Sequence, residues 1–230
     1  MVRVLPYKYR QVCSNARGVD LMLVKEAIEI TGGLSNPSKM PGRAYNTSAF
    51  DCKRGSRLAE IPGTICSTCY ARKGRYVFPK VQRALRNRAN AFDHPLFLSA
   101  MSLLIKRQSP DYFRWFDSGD LQSVEQLRII VKVCEATPNT KHWLPTREYN
   151  IVAAYRATYM ELFPPNLTVR MSTDKVDQVP GSFTGPYSMV SSRGYIDGAL
   201  NCPAPKQGNE CGNCRGCWNP NIDLVSYTEH

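Results

Sequence analysis

No stretch of this chain is apolar for long enough to cross a bilayer. The longest hydrophobic runs resemble "LRIIVKVC", far short of the roughly 20 residues a spanning helix needs. The N-terminus, "MVRVLPYKYRQVCSNARG", is basic but lacks an extended apolar core and a small-residue cleavage site, which excludes a secretory signal. No internal repeat or low-complexity tract is visible. Acidic residues are in deficit, 19 against 30 lysines and arginines, leaving a net charge of +11. A field of that sign attracts polyanions or phosphorylated ligands, and it also aids solubility. Histidine is scarce, and neither His94 nor His142 stands in a metal-ligand spacing, so both read as structural. The expectation is a protein without membrane partners, working in a reducing cytoplasm. There disulfides are disfavoured, and clustered cysteines bind metal or do chemistry.

What is present is enough for a core. A chain of 230 residues, 43% hydrophobic and 21% charged, folds as one large domain or two small ones. "DLMLVKEAIEI" reads as a strand or a short helix, and "RAYNTSAF" as a strand running into Cys52. "FPKVQRALRNRANAF" is a helix with Pro79 at its first position and an apolar stripe of Val81, Leu85, Ala89 and Phe92. "PLFLSAMSLLIKRQ" reads as a second, buried helix. "YFRWFDSGD" follows as a strand ending at Ser118–Gly119, then "SVEQLRIIVKVCEA" as an amphipathic helix starting near Leu121. "KHWLPTRE", "NLTVRMS" and "GPYSMVSS" are strand-like and "NIVAAYRATYMELF" helical. Alternation of this kind predicts an α/β fold with a mainly parallel sheet, curled into a partial (β/α) barrel. The expected organisation is an N-terminal extension over residues 1–40, the barrel-like domain over 41–200 and a cysteine-rich segment over 201–230.

Cysteine is abundant for a cytoplasmic chain: nine, an odd number that argues against a fully paired disulfide framework. Cys211, Cys214 and Cys217 form C-x2-C-x2-C, and Cys202 precedes them, followed by Pro203. Zinc takes four ligands, often as two CxxC knuckles, and would leave Cys211 or Cys217 without an obvious task. A 4Fe–4S cubane presents four iron corners, so each cysteine of the triple takes one. Cys52, Cys66 and Cys69 form a second group, C-x13-C-x2-C. Seven ligands divide as four plus three. A cubane held by three cysteines leaves one iron open. That is the arithmetic of an enzyme in which S-adenosylmethionine chelates the open iron, and an electron cleaves its sulfonium to a deoxyadenosyl radical. A single site shared between Cys66, Cys69 and two C-terminal cysteines is the competing division. Cys134 reads as a small core residue on a helix face, and Cys13 stands alone.

Polar clusters follow the strands: "DSGD", "TRE", "MSTD" and "SSRG". In such folds ligands bind at the C-terminal strand ends, although loops there are polar in any case. Ser118, Gly119 and Asp120 suit a methionine amino group, or Asp120 caps the following helix. Arg147 and Glu148 suit a carboxylate and a ribose hydroxyl, or pair with each other. Arg170 and Ser172 are further candidates of the same kind. Arg72, Lys73, Arg75, Lys80, Arg83, Arg86 and Arg88 crowd beside the first cysteine group. With Tyr76 and Phe78 interleaved, they suit a nucleic-acid backbone and its bases. The alternative, preferred on sequence, has Tyr76 and Phe78 in the core and the cations on a solvated helix, offsetting the cluster's negative charge.

Together "MPGRAYNTSAFDC", "PGTICSTCYARKGRYVFPKVQRAL", "FRWFDSGDLQ", "WLPTRE", "LTVRMS" and "CGNCRGCW" resemble the bacteriophage gene product 88-like proteins, from about Met40 to the C-terminus. The resemblance implies phage origin, a host-cytoplasmic setting and cluster content, without naming a reaction. More distantly the layout is similar to the radical S-adenosylmethionine barrels, where a strand leads into a three-cysteine loop. That family's usual spacing is C-x3-C-x2-C, whereas here thirteen residues separate Cys52 from Cys66. The function expected is an iron–sulfur protein, of the radical S-adenosylmethionine type, acting on an unknown substrate. The alternatives are a non-catalytic phage iron–sulfur protein that binds a host or phage partner, and a zinc-stabilised nucleic-acid-binding module.

Overall fold

The computed structural model describes residues 22–160, 162–179, 181 and 185–229. Its centre is a seven-stranded sheet: β1 (Arg43–Tyr45), β2 (Tyr112–Trp115), β3 (Lys141–Thr146), β4 (Leu167–Ser172), β5 (Tyr187–Ser191), β6 (Leu200–Asn201) and β7 (Leu224–Thr228). The spatial order is β1-β2-β3-β4-β5-β7-β6 and every pairing is parallel. β1 and β6 are the free edges, so the sheet is open and the architecture is a partial barrel, as the alternation predicts. Strands β1 to β5 follow each other in space as in sequence, and right-handed crossovers put the intervening helices on one side.

Six helices are described: α1 (Val24–Thr31), α2 (Lys53–Ala59), α3 (Pro79–Ala91), α4 (Phe97–Gln108), α5 (Val124–Ala136) and α6 (Tyr149–Tyr159). "DLMLVKEAIEI" resolves as the helix α1, terminated by Gly32 at φ 75°, a left-handed stop that glycine adopts without a Cβ penalty. Pro79 does open α3, where its missing N–H costs nothing. The start of α5 differs from expectation. Its cap is Ser123, whose Oγ accepts from the Gln126 N–H at 3.1 Å, and Asp120 is left for other work.

The two sheet faces are chemically distinct, because side chains alternate along each strand. Phe113 and Trp115, His142 and Leu144, and Val169 and Met171 are buried on one face. There Phe113, Trp115, Leu144, Val169 and Met171 join Met101, Ile105, Leu127, Ile130, Val152 and Tyr155 in the main core. The opposite face carries Arg114, Trp143, Thr168, Arg170, Ser172 and Ser188, by the register of the pairings. All six residues of β4 are buried, so both faces of that strand are covered.

What covers the second face is the cysteine-rich tail. It supplies β7, which inserts between β5 and β6, and it lays Trp218 across the sheet. The Trp218 ring meets Tyr112 at 5.5 Å and Trp143 at 5.2 Å, its Nε1–H donates to the Phe113 carbonyl, and its own carbonyl accepts from Thr168 Oγ1.

Candidate functional site

Cys52 immediately precedes α2, a helix not foreseen in the thirteen-residue gap. This helix turns the gap into a short return path. Gly55 sits between the sulfurs: a Cβ there would lie 3.6 Å from Cys52 Sγ and 3.7 Å from Cys66 Sγ. Cys66 and Cys69 are joined by a 3-10 turn over Ile65–Thr68, with Cys69 N–H donating to the Cys66 carbonyl at 3.2 Å. Cys52 feels both Cys66 and Cys69, Cys66 feels Cys69, and burial pushes Cys52 and Cys66 above the ordinary thiol range. The Arg147 charge pulls Cys66 back down.

The polar residues after β2, β3 and β4 hold this loop over the C-terminal end of the sheet. Ser118 and Thr47 are bonded twice: the Thr47 N–H donates to the Ser118 carbonyl, and Ser118 Oγ donates to the Thr47 carbonyl. The strand expected to reach Ser118–Gly119 stops at Trp115, because Phe116 turns to φ 53° and Gly119 to φ 81°. Phe116 is held in a conformation a bulky residue rarely adopts, whereas Gly119 takes its left-handed turn without a Cβ penalty. Asp120 is buried. Its Oδ1 accepts from the Leu121 N–H and Thr146 Oγ1, and its Oδ2 from the Arg147 N–H. Burial, opposed by those three donors, pushes its carboxyl up to about 6.

Arg147 and Glu148 do not make a pair with each other. Arg147 Nε donates to the Thr173 carbonyl at 2.9 Å, while Glu148 Oε1 accepts from the Arg54 N–H at the start of α2 at 2.7 Å. The Arg54 side chain bridges to Asp174 after β4, and the Asp174 carbonyl accepts from the Ile65 N–H, next to Cys66. On sequence Asp174 enters only as the last residue of the strand-end cluster "MSTD", and Arg54 carries no signal beyond its position two residues after Cys52.

Cys202, Cys211, Cys214 and Cys217 gather on the non-helical face. Cys202 and Cys214 are electrostatic neighbours, Cys211 feels both, and Cys217 feels Cys202. The seven sulfurs thus group as three and four. Cys217 Sγ lies 3.1 Å from the Tyr227 hydroxyl on β7, and burial pushes its thiol up to about 11. Arg170 lies within β4 rather than at its end, and it holds this second loop. Nη1 donates to the Tyr187 and Ile222 carbonyls and Nη2 to those of Gly216 and Asn219, at 2.8 to 3.2 Å. Ser172 Oγ is 3.0 Å from Ser188 Oγ on β5, a cross-strand contact. Arg114 stands between the groups: its guanidinium lies over Trp143 at 4.3 Å, and its charge reaches Tyr70 and Asp117 on one side and Cys211 and Cys217 on the other. A cavity of about 670 Å³ opens beside Cys214 at the N-terminal ends of β3 and β4, lined by Lys141, Asn166, Arg215 and Asn219 among others.

Among the described residues, no three His, Cys, Asp or Glu side chains converge as ligands of a single metal ion would. The eight cysteines described are unpaired, and Cys13 lies outside the described residues. Cys134 is buried on α5 as a core residue. His142 is buried too, and His94 accepts from the Leu96 N–H through Nδ1. No described helix is long and apolar enough to cross a membrane.

Neither the curated proteins nor the solved structures contain a match to this chain. A family match does exist, spanning residues 5–220 and so nearly every element described above. It takes in all seven grouped cysteines, the strand-end motifs and Trp218: the chain belongs to the Gene product 88 family, the phage family its motifs resemble.

Proposed function

We propose that this protein is an iron–sulfur protein with two 4Fe–4S sites, and that the three-cysteine site serves a radical S-adenosylmethionine-type reaction in the host cytoplasm. The observation that carries the proposal is the grouping of seven thiols as three and four, with the group of three lying where ligands bind in parallel α/β sheets, at the C-terminal strand ends. The donor set fits. Its chemistry is all thiol and free of disulfides among the described cysteines, the ligand type that iron–sulfur clusters take. When bound, a cubane with one uncommitted iron supplies a low-potential electron and a coordination position for an amino acid's amine and carboxylate.

The chain's own residues then have definite tasks. On this reading Arg147, whose charge reaches Cys66 and whose Nε is held by the Thr173 carbonyl, would take the ligand's carboxylate. Asp120, engaged by Leu121, Thr146 and Arg147, fixes the Arg147 backbone beside the three-cysteine group. Gly119 lets the loop after β2 pack directly on Thr47, which fixes that loop beside the three-cysteine group. Glu148 and Arg54 hold α2, and with it Cys52. Arg170 keeps the four-cysteine loop on the sheet and takes no part at the open site.

The test adds S-adenosylmethionine to anaerobically isolated, reduced protein. The reading expects a changed electron paramagnetic resonance signal and release of deoxyadenosine. An unchanged signal with no cleavage favours the second reading, a non-catalytic iron–sulfur protein that binds a partner. Stoichiometric zinc in place of iron returns the case to a zinc-stabilised module.

A further inference from the structure

The basic run beside the first cysteine group is arranged otherwise than its sequence suggests. Phe78, expected in the core, is 56% exposed at the head of α3. Phe50 is 44% exposed, with the Arg72 guanidinium 5.0 Å from its ring centre. Tyr70 is 59% exposed although its hydroxyl is tethered to the Asp117 carbonyl, and its ring meets Tyr76 edge-on at 5.8 Å. The segments that carry these aromatics pack together as one region of the fold. Gln82 on α3 stitches it together, donating to the Tyr76 carbonyl and accepting from Ser48 Oγ, two residues before Phe50.

The run that carries Tyr70, Tyr76 and Phe78 has charge of one sign. From Ile61 to Phe92 there are seven lysines and arginines and no acidic residue. Lys80, Arg83 and Arg86 are exposed, and at steps of three they fall within about 120° of the circumference of α3, on one face. Lys73 and Arg75 are exposed beside Tyr76. Arg88 is directed elsewhere, to the Gly33 carbonyl and Ser35. Asp117 is the carboxylate closest to the tyrosines, and Arg114 offsets it. The acids nearest the run in sequence are Glu60 and Asp93, and Asp51 adjoins Phe50; all three are exposed.

Exposed rings beside a stripe of cations match the chemistry of unpaired bases on a phosphate backbone. A duplex offers the same phosphates but keeps its base faces stacked away. We infer that this surface binds single-stranded nucleic acid, with Phe78, Tyr70 and Phe50 stacking on bases and Lys80, Arg83 and Arg86 neutralising phosphates. The inference does not depend on what the thiols hold.

The test titrates protein, as isolated, into fluorescent oligothymidylate and oligouridylate of about 20 nucleotides and follows anisotropy across salt concentrations. Binding is expected to weaken with salt, by about 0.7 log units per log unit of salt for each phosphate neutralised. The triple variant Lys80→Ala, Arg83→Ala, Arg86→Ala should flatten that slope by about 2. Phe78→Ala should weaken binding by about tenfold or more and leave the slope alone. Circular dichroism verifies that both variants remain folded. Tighter binding of the deoxy or the ribo strand assigns the natural ligand to DNA or RNA. Three results would each overturn the inference: no binding at low salt, an unchanged slope in the triple variant, or equal affinity for a duplex with no effect of Phe78→Ala.

Discussion

Arg54 and Asp174 meet across the mouth of the sheet, with the guanidinium Nε and Nη2 donating to the two carboxylate oxygens at 3.1 and 2.5 Å. The pair joins the helix after Cys52 to the loop after β4, and the same loop accepts the Ile65 N–H beside Cys66. Two cysteines far apart in sequence are therefore held through one ion pair.

Asp174→Asn should loosen that hold locally. Arg54 is 38% exposed, so the cost in global stability is small, about 1 kcal/mol. Alkylation of Cys52 and Cys66 in metal-free protein should accelerate severalfold, with Cys214 unaffected. Peptide mapping of the modified thiols reads this directly.

Arg170→Leu should be far more damaging. It removes the donors from four carbonyls beneath the second cysteine loop, and loss of a buried charged hydrogen-bonding network costs about 3–5 kcal/mol. Lysine cannot reproduce the planar fork, so Arg170→Lys should rescue little. Urea unfolding measures both.

Gly119→Ala tests the strained loop after β2. The new Cβ would stand 2.0 Å from Thr47 Oγ1 and 2.9 Å from the Thr47 carbonyl carbon, at φ 81°. Backbone strain and the clash together should cost about 2–4 kcal/mol. The thermal midpoint should fall accordingly.

His142 predicts an acid limb of stability. Its Nε2 is 2.8 Å from Thr137 Oγ1, whose own proton goes to the Val133 carbonyl, so Nε2–H donates and Nδ1 is left without a partner. Burial lowers its pKa from 6.5 to about 3. The unfolded chain takes up the proton as pH falls through 6.5, while the native imidazole resists it. Stability is therefore full above 6.5 and declines below it, by roughly 1 kcal/mol per pH unit. His142→Gln, which can keep a donor near Thr137 and cannot titrate, should flatten that limb in urea titrations at several pH values.

Much of the framework could be read from periodicity. Leu127, Val131 and Cys134 recur at helical spacing and do line the buried side of α5, and "NLTVRMS" read as a strand, although its burial on both faces was not legible there. What periodicity could not show was partnership across the chain. Arg170 resembles a strand-end ligand until the tail's carbonyls are seen around it. Asp120 resembles a cap until Ser123 takes that place. Helix α2 was hidden because "KRGSRLA" has too few apolar residues to make a stripe, and Glu148, ninety-four residues after Arg54, supplies the acceptor at its start. Phe78 reads as a core residue because large aromatic side chains are usually buried; its exposure comes from its place at the head of α3, ahead of Pro79.

The measurement that bears most directly on the central claim is the iron and acid-labile sulfide content of protein isolated without oxygen. Two cubanes require about eight of each per chain, falling to about half in Cys66→Ser and in Cys211→Ser alike. Colourless, sulfide-free protein, or a content that either substitution abolishes entirely, would contradict it.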